Sequence, residues 1–172
     1  MATARIRVRA EDVVLDGVDR QLLLALSRDG RQAAAGLAKS LGLSRQAVAD
    51  RIRDLERRGV IRGYRADVDP RTLGLSVRAI LRLTLEGSAS LDKGKEVRRR
   101  LLANPMVRAI YHVSGEDCYV VEVVCRRIED VNALLGDLHA TRAIQSSRTA
   151  FVLETVLDKH GLGPLEPELI PE

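Results

Sequence analysis

A chain of 172 residues with 45% apolar composition is too apolar for wholesale disorder and long enough for one ordinary domain or two small ones. Its net charge of +4 hides an asymmetry: residues 1–71 hold 15 Lys or Arg against 10 Asp or Glu, whereas residues 72–172 hold 13 against 14. A basic front beside a near-neutral back points to different partners, with a polyanion such as DNA suiting the front, although the same excess also serves as plain solvated surface. Met1 to Arg9 carries arginines but no apolar run of signal-peptide or membrane-spanning length, so a cytoplasmic protein is expected. Cys118 and Cys125 belong to no CxxC or Cys/His cluster and read as reduced, buried thiols. The three histidines form no HExxH and no pair at ligand spacing, so neither a metal nor a cofactor is expected.

Residues 1–13 read as a mobile basic arm. From Leu15 the apolar residues Leu15, Val18, Leu22 and Leu26 recur at helical spacing, with Asp16 as N-cap and Gly30 as stop, which predicts a helix over about 17–28. Ala34, Leu37, Ala38 and Leu41 form the stripe of a second short helix that exits at Gly42. Ser44 then caps a third helix through Arg58 that stops at Gly59. Two helices joined by a turn of about three residues containing Gly make a helix-turn-helix. Val60 to Val68 reads as two very short strands around Gly63, a small wing.

Asp69-Pro70 breaks the chain, placing a linker at 67–75. Beyond it Val77, Ala79, Leu81, Leu83 and Leu85 alternate as one long strand. A helix over Leu91–Leu102, a strand over 107–113, a tight Ser114-Gly115-Glu116-Asp117 connection and a strand over 119–125 follow. A helix with Ile128, Val131, Leu135 and Leu138 on one face comes next, then a last strand at about 147–157. The predicted fold is therefore α+β: a winged helix-turn-helix (14–66) followed by a ferredoxin-like βαββαβ domain (76–158), with an irregular tail at 159–172. Strand 119–125 is apolar on both sides, since Val120 and Val124 oppose Val121 and Val123. Two helices cover only one sheet face, so the other is expected to pack on a second copy, giving a homodimer.

On the third helix, Val48, Ile52 and Leu55 must face inward. At 100° per residue Gln46, Asp50, Arg53 and Arg57 centre on the opposite side, Ala49 lies at its edge, and Ser44 and Arg45 sit at the tip. Such a face fits a major groove of double-stranded DNA. Gln46 suits an adenine edge, an arginine suits guanine, Asp50 can accept from cytosine N4, and Ala49 allows close approach. Ser44 and the helix N-terminus suit a phosphate, as do Arg62 and Arg65 of the wing. Each has a plainer reading: Arg57 and Arg58 favour a helix C-terminus electrostatically, and Asp50 also reads as a solvated charge. Arg51 points to the buried rim, where an intramolecular ion pair is expected.

These residues carry a family resemblance. Leu15-Asp16-x-x-Asp19, Asp29-Gly30-Arg31, Leu37-Ala38-x-x-Leu41-Gly42-Leu43-Ser44, Arg51-Ile52-x-x-Leu55-Glu56-x-x-Gly59-Val60-Ile61 and Val113-Ser114-Gly115 together make the chain resemble the Lrp/AsnC (feast/famine) transcriptional regulators from about Val14 to Leu157. The resemblance implies a RAM-type effector domain, dimers formed through the C-terminal sheet, further assembly often into octamers, and sensing of amino acids or similar metabolites. It also implies that the loop Ser114, Gly115, Glu116, Asp117 to Tyr119 contributes to the effector pocket. There Gly115 permits a tight turn, exposed N–H groups can hold a carboxylate, and Glu116 or Asp117 can take an ammonium. Where many members carry Asp directly before the aromatic residue, this chain has Cys118. Read alone, Ser-Gly-Glu-Asp is an ordinary hairpin connection.

A regulator whose effector alters assembly and DNA occupancy is the leading expectation. An architectural DNA-compacting protein without effector is the alternative. A third reading follows from tetrapyrrole decarboxylases that resemble the same architecture, and for it His112 is the candidate catalytic group.

Overall fold

The computed structural model describes residues 14–86 and 91–157. The expected arm at 1–13, residues 87–90 and the expected tail at 159–172 lie outside those residues. The chain divides into two compact units, with the boundary between Ala66 and Asp67.

The first unit is built from α1 (Gly17–Arg28), α2 (Ala34–Leu41) and α3 (Arg45–Arg57). Its limits follow from local chemistry. The Asp16 carboxylate accepts from the Asp19 N–H at 2.8 Å while Asp19 reaches back to the Asp16 N–H, so two otherwise orphaned donors of α1 are satisfied. Gly42 adopts φ 66°, a left-handed exit that ends α2 without a Cβ penalty. Ser44 Oγ accepts from Ala47 N at 3.1 Å to start α3. Leu22, Leu37, Ala38 and Val48 form the buried centre, with Val18, Leu26, Leu41 and Ile52 packed against it.

The two short strands expected between Val60 and Val68 do not form. Val60 N and Ile61 N instead donate back to Leu55 O, at 2.9 and 3.2 Å, closing the end of α3. A ladder that short offers few hydrogen bonds, and Gly63 at φ 136° departs from strand geometry. The segment expected as irregular linker contains a single 3-10 turn, Pro70–Leu73. Asp69 caps it and Gly74, at φ 73°, ends it.

The second unit contains β1 (Val77–Leu85), α4 (Leu91–Ala103), β2 (Val107–His112), β3 (Tyr119–Cys125), α5 (Ile128–His139) and β4 (Ile144–Phe151). This βαββαβ sequence makes one antiparallel sheet in the order β2-β3-β1-β4. Ala79, Leu81 and Leu83 of β1 and Val121, Val123 and Cys125 of β3 point to one face. There they pack with Val97 and Leu101 of α4 and Val131, Leu134 and Leu138 of α5. The inward stripe of α5 differs from expectation: Leu134 is buried and Ile128 is exposed, because Ile128 is the first helical residue, beyond the edge of the packed layer.

β4 begins at Ile144 and ends at Phe151, rather than spanning 147–157. It pairs with β1 from Leu85↔Ile144 to Ala79↔Phe151, and the bond from Val152 N to Arg78 O is the last near that register. Since β1 begins at Val77, residues beyond Val152 have no strand to join, and Leu153, Val156 and Leu157 are exposed despite their apolar character. The face away from the helices is more mixed than the apolar pattern suggested. Val124 is buried and Val120 and Ile80 are half-buried, but between them Glu122 accepts from Arg78 Nε at 2.7 Å. Cys125 lies in the core and Cys118 is half-buried; both are free thiols.

Candidate DNA interface and effector loop

The outward side of α3 is set by what its inward side must bury. Val48 and Leu55 are fully buried and Ile52 packs beside them, so at 100° per residue Gln46, Asp50, Arg53 and Arg57 have only solvent to face. All four are exposed, as are Ser44 and Arg45 at the tip; Ala49 is half-buried at the margin. These charges are organised rather than independent. Asp50 accepts from Gln46 Nε2 at 3.1 Å and from Arg53 Nη2 at 2.6 Å, so one carboxylate orders both candidate base readers. Arg57 pairs with Asp54, and Arg58 pairs with Asp54 at 3.1 Å and donates to Val14 O at 2.6 Å. Arg45, Arg62 and Arg65 are exposed and have no ion-pair partner among the described residues.

Two contacts brace this face from behind. Arg51 Nη1 lies 2.6 Å from Asp16 Oδ2 and 2.9 Å from Asp19 Oδ1, tying α3 to the cap of α1, as its inward direction led us to expect. The Asp19 N–H, and after it the Arg51 guanidinium, hold the Asp16 carboxyl below its ordinary range. The second brace was not legible in the pattern. The Tyr64 ring stands over Gly30, where an added Cβ would lie 3.1 Å from Tyr64 Cδ1. Burial, and then the nearby Glu56 carboxylate, push the Tyr64 phenol up to about 12.

In the second unit, Val113 N donates to Cys118 O at 3.1 Å, closing the loop Ser114–Asp117 between β2 and β3. Cys118 N donates to Leu83 O at 2.8 Å, tying the loop base to β1. Gly115 adopts φ 114°, a conformation L side chains rarely take, and its Cβ position is open. The two acids behave differently. Asp117 is only 8% exposed and accepts from Arg82 Nε at 2.6 Å, so its charge is already matched within the chain. The Glu116 side chain is 87% exposed, with Arg148 Nη1 4.0 Å away. Ser114 is exposed, and the Tyr119 ring packs toward the core with its centroid 5.2 Å from that of His112. Arg82 was missed by sequence reasoning; the unmatched Arg at an outward strand position was the only available hint. Among the described residues no group of His, Cys, Asp and Glu could hold a metal ion, and no helix is long and apolar enough to cross a membrane.

Comparison with known proteins gives this arrangement a context. Residues 15–62 match the winged helix-turn-helix DNA-binding family and residues 78–162 match the Lrp/AsnC ligand binding domain. The chain is 31% identical over 159 residues to the HTH-type transcriptional regulator AldR of Mycolicibacterium smegmatis, covering 92% of this chain and 90% of that protein. The crystal structure of the leucine response regulatory protein LrpA of Mycobacterium tuberculosis superposes with a TM-score of 0.71 at 33% identity, over 84% of this chain and 96% of that one. A transcriptional regulator of Neisseria meningitidis, crystallised with L-Met, shares the fold with a TM-score of 0.78 at 23% identity, over 84% and 94% of the two chains. Relatives of this kind are regulators rather than enzymes, which removes the decarboxylase alternative and the catalytic role weighed for His112. With a DNA-binding helix-turn-helix and a ligand-domain match in one chain, over most of the length of its relatives, this protein belongs to the Lrp/AsnC family of transcriptional regulators.

Proposed function

We propose that this regulator acts in the cytoplasm as a homodimer that assembles further, for example into an octamer, and that an amino acid or related metabolite changes which DNA half-sites it occupies together. The observation that carries the DNA reading is the orientation of α3. With Val48 and Leu55 buried, Gln46, Asp50 and Arg53 form a hydrogen-bonded row on the solvent side. In this reading that row enters the major groove, Ser44 and Arg45 meet the backbone at the helix tip with Ala49 letting it approach, and Arg57, Arg62 and Arg65 contact flanking phosphates.

Dimerisation is supported by the sheet face opposite the helices, where Ile80, Val120 and Val124 lie among the paired charges Arg78–Glu122 and Arg82–Asp117. A face with apolar centres and satisfied charges suits a second copy better than water. The effector loop is read as Ser114, Gly115, Glu116, Asp117 and Tyr119. Backbone N–H groups around Gly115 suit a carboxylate, Glu116 is the acid open to an ammonium, and Asp117 and Tyr119 shape the loop from beneath. The L-Met bound by the Neisseria meningitidis regulator is in keeping with an amino-acid ligand.

Thermal-shift measurement of the full chain against each amino acid tests the effector reading. A true ligand at 100 times its dissociation constant stabilises by roughly 2.7 kcal/mol, and Gly115→Val should erase that shift while leaving duplex binding in place. Stabilisation by no amino acid, or an unchanged shift in Gly115→Val, refutes the loop assignment. Footprinting separates regulation from compaction: phased protection of few promoters supports the former, and even coverage the latter.

A further inference from the structure

Between Ile61 and Asp69 the chain has no strand and every residue is exposed. Arg62 and Arg65 therefore lack the hairpin that a wing ordinarily uses to aim its side chains. A segment without strand pairing has few fixed backbone bonds, and ordering it on DNA would cost conformational entropy. One side chain restrains the segment. Tyr64 lies between the two arginines, and although 47% of it is exposed, its ring rests on Gly30 just past the end of α1, with the Glu56 carboxylate of α3 near its hydroxyl. A side chain at Gly30 would crowd the ring, because a Cβ there would stand 3.1 Å from Cδ1, so that the ring would have to give by a few tenths of an ångström and by more for a branched side chain. Gly30 has no left-handed φ to explain its identity. Glu56 in turn sits one residue before Arg57, on the helix that presents the candidate base readers.

We propose that Tyr64 is the positioning residue of this strandless wing: docked on Gly30, it holds Arg62 and Arg65 at a fixed place beside α3, where both meet DNA phosphates. The inference rests on the reading that Arg62 and Arg65 contact the backbone, and it adds that they do so only while Tyr64 is seated. The ring substitutes for the missing hairpin. It ties the wing to the end of α1, so the arginines keep their place within the three-helix unit rather than follow the chain leading to Asp69.

Salt dependence isolates this role. Each phosphate contact contributes about 0.9 to the slope of log affinity against log salt, so two lost contacts lower the slope by about 1.8. A general loss of stability lowers the active fraction without changing that slope. The full-length protein would be titrated with a mixed-sequence duplex over a range of salt concentrations, as wild type, Arg62→Ala/Arg65→Ala, Tyr64→Ala and Gly30→Val. Gly30→Val displaces the ring without altering Tyr64 and carries the test if Tyr64→Ala does not fold. We expect all three variants to lose the same slope, and Arg62→Ala/Arg65→Ala to lose nothing more when combined with Gly30→Val. If the double arginine variant lowers the slope but Gly30→Val and Tyr64→Ala keep it, Tyr64 does not position the wing. If the double arginine variant keeps the wild-type slope, the backbone reading of the wing falls and this inference with it.

Discussion

Arg51 of α3 lies 2.9 Å from Oδ1 of Asp19 on α1, and the Asp19 side chain is only 10% exposed. A carboxylate that far from water needs its partner, because its desolvation is offset only while the guanidinium and the Asp16 N–H remain in place. The same guanidinium bridges to Asp16, so the two contacts tie α3 to the start of α1. Arg51 is itself about a third exposed, which moderates the energy through screening. Arg51→Met should therefore destabilise the protein by about 1–2 kcal/mol in urea denaturation, and Asp19→Asn in the Arg51→Met background should recover part of the loss. No recovery would show that Arg51 acts by packing rather than by charge.

Asp50 is the central member of the row on α3, and its effect on DNA binding should be double-edged. Its carboxylate orders Gln46 and Arg53, which favours discrimination, yet it places a negative charge where phosphates approach. Asp50→Ala should raise affinity for random duplex severalfold while narrowing the gap between operator and random DNA. Arg53→Ala should weaken operator binding by roughly 1–3 kcal/mol if it reads a base. An equal loss on random duplex would make it a phosphate clamp. Paired titrations of the two duplexes at one salt concentration distinguish these outcomes.

The parts of this fold that could be read in advance are those with local causes. Asp16, Gly42 and Ser44 mark helix limits through bonds to residues three or four positions away. Strand β3 announced itself by an apolar run between turn residues. What escaped depends on distant partners. The end of β4 is set by where β1 begins, the wing loses its strands to competing bonds with Leu55, and Arg82 meets Asp117 across 35 residues. The candidate site divides in the same way. The outward face of α3 follows from helical geometry, whereas the hydrogen bonds among its members, the brace of Tyr64 and the commitment of Asp117 require the folded chain.

Acid should loosen the second unit first around α4. Hydrogen bonds from Arg99 and then Arg100 lower the Glu96 carboxyl from its ordinary 4.5 to about 2. A carboxyl depressed by folding contributes stability that is fully present above its unfolded value and is lost as pH falls toward the folded one. The loss contributed by Glu96 thus falls between about pH 4.5 and pH 2. Exposure and salt screen this pair, so the effect should shrink at high ionic strength. Urea midpoints measured across that range should fall less steeply for Glu96→Gln than for wild type, and parallel curves would assign the acid sensitivity to other carboxyls.

Asp117 and Arg82 offer the most direct handle on the β2–β3 loop. Arg82 sits on β1 opposite Arg148 of β4, a like-charge cross-strand pair that is unfavourable unless neutralised. Asp117 supplies the neutralising charge for Arg82, and Glu116 stands near Arg148. The loop is therefore held to the sheet by charges that also relieve the sheet. Arg82→Ala leaves the buried Asp117 carboxylate unmatched and should cost about 1–2 kcal/mol, moderated by the exposure of the arginine. Asp117→Asn alone unpairs the charge, whereas Arg82→Gln with Asp117→Asn replaces the ion pair by a neutral hydrogen bond and should restore most of the stability. Hydrogen exchange at the Cys118 and Val113 amides, which close the loop, should accelerate in Arg82→Ala and return toward wild type in the double variant. Unchanged exchange in Arg82→Ala would mean that the backbone bonds to Leu83 and within the loop suffice, and that the ion pair serves the sheet rather than the loop.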